Sequence, residues 1–587
     1  MPPLNRRRLA ESFNEMAVLL QIAGANSFKT AAFEKAAQTI LDENHDVQAA
    51  LEDNALTELP SIGKGIADKI KEFAKEGTFA ELEELREKYP PSLVTMTTVP
   101  GFGAKKAKAV FEELGIATLD GLEAAAKAGE LDGLKGFGKK TVENILKGIE
   151  TVKAGSGRFR LDKAREAAEP LLDMLKGHPA VIRAEAAGSL RRWKETVHDI
   201  DFVCATGKPE EVMKAFTGFM TVERVLAKGK TKSSVVLSDG IQADLRCVTE
   251  VQYPFALAHF TGSKEHNIRM RQRANARGLV LNEYGLFPEG EEKTGESKPA
   301  GSEADLHKLL GLKQWVAPEL REDMGECDAA EAGELPELIE EGDIRGLLHM
   351  HTHYSDGQPR VRDYAEWAAK NGIAWMGLAD HSQSAGYAGG LSPDRVREQW
   401  AEIDAVNAEF TKQGIRLLKG IESDIRKDGS LDYDDDLLAG FDFVVASVHS
   451  VFNLPEAEQT DRIIRAVRSP FTTVLGHMTG RLLLRRDGYD LDQKAVIAAC
   501  AEEGVAIEIN ANPMRLDMDW RLVKYALEKG AMLSIGPDAH KISGLAHTAY
   551  GVRMARKGWA VKDKVVNCWD VETFLEFAGK RRAKAAK

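Results

Sequence analysis

Between residues 346 and 540, seven short apolar runs each end in side chains that bind metals: GLLHMHTH, WMGLADH, LLKGIESD, FVVASVHS, TVLGHM, AIEINAN and MLSIGPDAH. The runs are strand-like, and the segments between them are long enough for helices. The pattern therefore predicts seven β/α units whose strand tips face one side, a distorted (β/α)7 barrel. Residues 1–155 carry helical periodicity instead, and a short motif recurs there three times: LPSIGKGIA from Leu59, VPGFGAKKA from Val99 and LKGFGKKTV from Leu134. Between these regions, apolar and polar positions alternate in AEAAGSLRRWKETVHDIDFVCA and again in IQADLRCV, which predicts strands of an α+β layer.

The tips of the seven runs carry the first candidate chemistry. His349 and His351 stand at i and i+2, a spacing that puts both imidazoles on one face of a strand. Later tips add Asp356, Asp380, His381, Glu422, His449, His477, Asp538 and His540, and eight of the chain's 14 histidines lie beyond residue 345. Mixed imidazole and carboxylate ligands suit zinc, manganese or iron, and a bridging carboxylate such as Glu422 suits two or three ions. Such a centre lowers the pKa of a bound water and clamps phosphate oxygens, the chemistry of phosphoester hydrolysis. His353 and His547 are read as bystanders.

A second centre is expected in the middle of the chain. Gly188-Ser189 opens a tight turn after an apolar strand, and Asp199 and Asp201 alternate so that both carboxylates share one face. Asp244 lies in a strand that could pair beside them. Three clustered carboxylates repel one another unless divalent cations bind, and magnesium or manganese held with substrate phosphates fits. In the N-terminal repeats, Gly63 and Gly65, Gly101 and Gly103, and Gly136 and Gly138 place flexible turns before helices. Backbone N–H groups there can meet DNA phosphates without reading bases.

The 587 residues suit several domains, and the net charge of −12 has to be read along the chain. Residues 301–345 hold 4 basic against 13 acidic side chains, so 316–345 is expected to be a solvated acidic linker that leaves basic clusters elsewhere free for phosphate. Five cysteines without CxxC spacing point to a reducing compartment. With no signal-like or membrane-spanning run, a cytoplasmic protein is expected.

The set His349-x-His351, Asp356, Asp380-His381, Glu422, His449, His477 and Asp538-x-His540 resembles the PHP (polymerase and histidinol phosphatase) domain. The repeats resemble helix-hairpin-helix elements. The Gly-Ser/Asp-x-Asp constellation, with HFTGSKEHNIRMRQRANARGLVLNEYGLF behind it, resembles the palm and thumb of family X DNA polymerases. The resemblance implies that Ser189 and Arg192 contact a triphosphate, that Phe260 and Gly262 pack on the sugar, and that Asn267 and Arg271 reach the nascent pair. It also places Lys69 where the beta-like enzymes have a Schiff-base lysine, although Gly65 replaces the companion lysine and a phosphate-contacting or surface role stays open. Trp193 and His198 stand where glycines are common and His259 where tyrosine is usual, so Trp193 is expected to crowd or relocate the phosphates, and slow or manganese-dependent polymerisation is expected.

The resulting expectation is a multidomain chain. It has a lyase-like helix-hairpin-helix domain (1–80), a fingers-like one (81–155), a nucleotidyltransferase palm (156–255), a thumb (256–315), the acidic linker (316–345) and a PHP phosphoesterase (346–587). The function implied is that of a monomeric family X polymerase filling gapped or nicked DNA from deoxynucleoside triphosphates. Magnesium or manganese would serve the palm, and two to three manganese or zinc ions would serve a 3′-end-processing PHP site. The alternatives are a DNA-binding PHP nuclease with a weak polymerase half, and a phosphatase for small phosphate esters.

Overall fold

The computed structural model describes the chain except residues 1–3, 5, 42–45, 98, 100–101, 132, 135, 154–156, 292–294, 485, 487 and 586–587. It divides into two compact units, Met1–Arg158 and Phe159–Lys587. The first is all helical. Its long helices include Arg6–Ala23, Ser27–Leu41, Lys64–Glu76, Ala104–Leu114 and Lys139–Lys153. Phe33 is buried against Phe13 and Phe79, with ring centroids 5.4 and 6.4 Å away. Gly63 and Gly103 are the residues at which the second helices of two hairpins begin, and Gly136 takes φ +91 before the third.

The second unit opens with a five-stranded sheet in the order Val181–Ala186, Asp199–Thr206, Gln242–Val248, Lys232–Leu237 and Val222–Lys228. Asp199–Thr206 and Gln242–Val248 run parallel, which puts Asp201 directly beside Asp244. Two helices follow, Tyr253–Thr261 and Lys264–Asn275, and then a hairpin, Leu279–Asn282 with Gly285–Pro288.

Seven parallel strands pair in sequence order: Gly346–Met350, Trp375–Leu378, Arg416–Asp424, Phe443–Ser447, Val474–Leu475, Ala506–Asn510 and Leu533–Gly536. A bridge between Met350 and Ala539 joins the last to the first, so the sheet is a nearly closed (β/α)7 barrel. Its strands are buried except at Arg416 and Lys419, as expected where helices cover a parallel sheet.

The acidic stretch 316–345 is not a wholly solvated linker. Glu334 and Glu337 are exposed, but Glu319 accepts from Arg553 at 2.8 Å and Arg556 at 3.0 Å, and Glu326 meets His266 Nδ1 at 2.6 Å. Glu319, Arg321 and Glu326 are all buried. Composition counts charge and is blind to such pairing.

Buried Glu303 holds this region together between Arg191 (2.7 and 3.0 Å) and Arg321 (2.5 Å). Burial alone would raise its carboxyl, but the two guanidinium groups hold it at about 2 against an ordinary 4.5. Its ionised form therefore stabilises the fold fully above pH 4.5, and that contribution fades as pH falls toward 2. It amounts to roughly 3 kcal/mol. Glu303→Gln should lower the melting temperature markedly at pH 7 and far less at pH 3. An equal difference at both pH values would contradict this pairing.

Candidate active sites

The barrel cluster is built around one buried carboxylate. Glu422 Oε1 lies 3.2 Å from His349 Nε2, 3.1 Å from His449 Nε2 and 2.9 Å from His477 Nε2. Its Oε2 lies 2.9 Å from His381 Nδ1 and 3.8 Å from His351 Nε2. Asp538 reaches His351 Nε2 at 3.4 Å, and Asp356 reaches His540 Nε2 at 3.2 Å. The nine residues expected as ligands thus converge at one end of the barrel, in overlapping groups whose donor atoms could share ions. These are His349/Glu422/His477, His349/His351/Asp538, His381/Glu422/His449, and His351/Asp356/His381/His540.

The donor chemistry fits divalent metals. Among the described residues, His349 Nε2, both nitrogens of His351, His381 Nδ1 and Glu422 Oε2 are buried without a well-directed hydrogen bond, although carboxylate oxygens and imidazoles crowd them. Buried polar atoms left this way need another partner. Against the cost of burial, the imidazoles of His449, His349 and His381 hold Glu422 well below its ordinary range, and the carboxylates in turn raise His349 and lift His449 to about 10, positive charge whose place a bound cation would take. Burial and the neighbouring His381 push His351 down to about 4, keeping a nitrogen lone pair available.

Residues not singled out as ligands orient those that were. Glu508 Oε1 meets His349 Nδ1 at 2.5 Å, and its Oε2 accepts from the His477 backbone N–H at 2.8 Å. Asp424 meets His449 Nδ1 at 2.5 Å. Arg515 Nε lies 3.3 Å from Asp538. Glu508 and Asp424 sit in the apolar runs, and Asp424 alternates with Glu422, so strand alternation carried a signal for it. Asp380 instead ties down the loop after the first strand, accepting from Thr352 N–H and Oγ1, both at 2.8 Å. His353 and His547 belong to none of the groups; His353 packs on Tyr354 and His547 faces Tyr550.

The second cluster lies on the five-stranded sheet. Asp199 and Asp201 share a face and Asp244 adjoins Asp201; Lys232 Nζ is 3.0 Å from Asp244. Burial, then Asp199 and Asp244, push the Asp201 carboxyl up to about 7, the energetic mark of a site short of positive charge. Gly188 makes this packing possible: it has φ +59, and a Cβ there would stand 2.2 Å from Asp201 Oδ2. The Gly-Ser turn therefore packs directly against Asp201, while the Arg192 guanidinium, three residues on from Ser189, is held by Glu322 at 3.0 Å and the Thr261 carbonyl at 2.8 Å.

Trp193 does not crowd that space. Its φ of 56 turns the ring away, onto Arg165 (4.0 Å), Arg553 (5.2 Å) and Tyr550 (5.7 Å). His198 is exposed. Asn267 Nδ2 donates to the carbonyls of His259 and Gly262 at 2.7 and 3.2 Å, and a Cβ at 262 would stand 2.6 Å from Asn267 Oδ1. Arg271 and His259 line a small pocket beside Asn267, and Arg246 stacks over Phe260 at 5.2 Å.

In the helical unit, the space around Gly63, Gly65, Gly103, Gly136 and Gly138 is open, with no atom within 4 Å of an added Cβ, and Gly101 lies outside the described residues. Lys69 is ion-paired with Glu81 at 2.5 Å.

Models of known families match four stretches: a helix-hairpin-helix domain over 5–79, a SAM-like helix-hairpin-helix tandem over 93–151, the DNA polymerase beta thumb over 256–322 and the PHP domain over 348–512. Over 578 residues the chain is 40% identical to the DNA polymerase/3′-5′ exonuclease PolX of Bacillus subtilis (strain 168), covering 98% of this chain and 100% of that protein. A probable phosphatase of Thermoanaerobacter sp. (strain X514) is 25% identical over 251 residues, 40% of this chain and 96% of its own. A probable phosphatase of Shewanella oneidensis is 26% identical over 232 residues, 38% of this chain and 86% of its own.

Removing an orienting carboxylate tests the barrel cluster by metal binding alone. Glu508→Gln should weaken manganese binding, measured calorimetrically, by about 10- to 100-fold. Unchanged binding would remove Glu508 from the account.

Proposed function

The chain belongs to the family of the DNA polymerase/3′-5′ exonuclease PolX, and on that premise we propose that its two carboxylate clusters divide the work, the sheet extending a primer and the barrel trimming 3′ ends. The observation that carries this reading is the Gly188 turn pressed against Asp201, itself paired beside Asp244, in the same compact unit as the Glu422 cluster. The favoured role is gap filling in DNA repair, by a monomer acting in the cytoplasm on gapped or nicked DNA with deoxynucleoside triphosphates.

Asp199 and Asp201 would hold magnesium or manganese, and His349, His351, Asp356, His381, Glu422, His449, His477, Asp538 and His540 would hold two to three manganese or zinc ions. When bound, such ions neutralise phosphate oxygens and make a hydroxyl or water a better nucleophile. At the sheet, Asp244 takes up the proton of the primer 3′-hydroxyl as that oxygen attacks the α-phosphorus and pyrophosphate leaves. Ser189 and Arg192 bind the triphosphate, and Phe260 and Gly262 pack on the sugar. Asn267 and Arg271 reach the base pair. The hairpin glycines at 63, 65, 101, 103, 136 and 138 present backbone N–H groups to DNA phosphates. Lys69 serves as a surface lysine held by Glu81, since an ammonium held in an ion pair offers no lone pair for attack.

Two double variants separate the activities on gapped and single-stranded 3′ ends. Asp199→Ala with Asp201→Ala should abolish nucleotide insertion and spare 3′ trimming, and His349→Ala with Asp538→Ala should do the reverse. Loss of both activities in either variant would contradict two sites. Borohydride trapping on a 5′-deoxyribose phosphate end should give no Lys69-dependent adduct; an adduct abolished by Lys69→Ala would restore a lyase role.

A further inference from the structure

The loop that follows the Gly188 turn is gripped from behind by the barrel. Arg192 Nε is 3.0 Å from Glu322 Oε1, and Arg192 Nη1 donates to the Thr261 carbonyl at 2.8 Å. Lys557, at the end of the barrel helix Thr548–Lys557, donates to the Arg192 carbonyl at 2.9 Å, to Glu322 Oε1 at 2.7 Å and to the Glu319 carbonyl at 3.2 Å. Lys557 is 1% exposed, so its ammonium spends all three donors inside the protein. One residue further along the loop, Trp193 rests on Tyr550 and Arg553. Glu195 accepts from Trp520 Nε1 at 3.0 Å and Arg521 Nη1 at 2.9 Å, both on the barrel helix Trp520–Glu528.

Three features set this apart from an ordinary contact between domains. The contacts converge on four consecutive residues of one loop, Arg192 to Glu195, and they reach its backbone as well as its side chains. The loop includes a tryptophan in the left-handed region, a conformation that persists only where surroundings enforce it. Three cations, Arg192, Lys194 and Lys557, gather about the single carboxylate of Glu322, with Lys194 at 3.8 Å.

We infer that the barrel is a structural part of the polymerase site: Lys557 and Glu322 are positioning residues that hold Arg192 for the incoming triphosphate, with Tyr550, Trp520 and Arg521 fixing the loop on either side. This rests on the proposed role of Arg192 as a triphosphate ligand. In this arrangement the domain that trims 3′ ends also sets the affinity of the polymerase for nucleotide.

The test uses the full chain and one-nucleotide-gapped DNA. Single-turnover insertion is measured against nucleotide concentration, and trimming of a single-stranded 3′ end is measured in parallel. Lys557→Met should weaken apparent nucleotide affinity about tenfold, leave the maximal insertion rate within about twofold, and leave 3′ trimming unchanged. Tyr550→Ala, at the half-buried edge of the same contact, should weaken nucleotide affinity about threefold, and it keeps the test available if the Lys557 variant does not fold. Unchanged affinity in the folded variants, while Arg192→Ala weakens it, would overturn the inference and leave the proposed function standing. Unchanged affinity in Arg192→Ala would overturn the triphosphate reading and the inference with it. A proportional loss of both activities at unchanged affinity would mark a merely structural contact and would also overturn it.

Discussion

A single buried carboxylate, Glu422, stands against five imidazoles delivered by four different segments of the barrel: His349 and His351, His381, His449 and His477. Burying that many polar groups costs free energy unless each finds a charge or a metal to meet. Parallel strands solve the geometric part, because every strand ends at the same face and six of the seven tips contribute donors. The rest of the barrel then serves to hold those tips. Glu508 and Asp424 fix ring orientations, Asp380 fastens the first loop, and the Met350–Ala539 bridge brings the last tip beside the first.

The sheet cluster obeys the same electrostatics with fewer groups. Burial and neighbouring carboxylates raise the carboxyls of Asp199 and Asp201, and Gly188 admits a turn packed directly against Asp201. The two clusters share a compact unit, and the buried ionic contacts of Glu303, Glu319 and Glu322 run through the segment between them. A stretch that looks like a spacer by composition is therefore the mortar between the sheet and the barrel.

What the sequence made legible follows from which signals are local. Seven apolar runs with ligand-type tips and the i, i+2 aspartates are periodic features, and periodicity reports strand faces directly. Asp424 and Glu508 lie inside those runs, yet their roles depend on which imidazole each one backs, a matter of tertiary pairing. Sequence position alone predicts that Trp193 crowds or relocates the phosphates; it does not crowd them, because its left-handed backbone sends the ring to Tyr550, over 300 residues away in sequence, and nothing local announces that turn. The same holds for Glu319, whose arginine partners lie 234 and 237 residues onward.

The central claim is that Glu422 organises a multinuclear centre in the barrel. The most direct measurement is anomalous diffraction at the manganese edge from crystals grown with manganese. The account predicts at least two peaks flanking the Glu422 carboxylate, one toward His349 and His477 and one toward His381 and His449. A barrel in which manganese binds away from Glu422, or not at all, would contradict it.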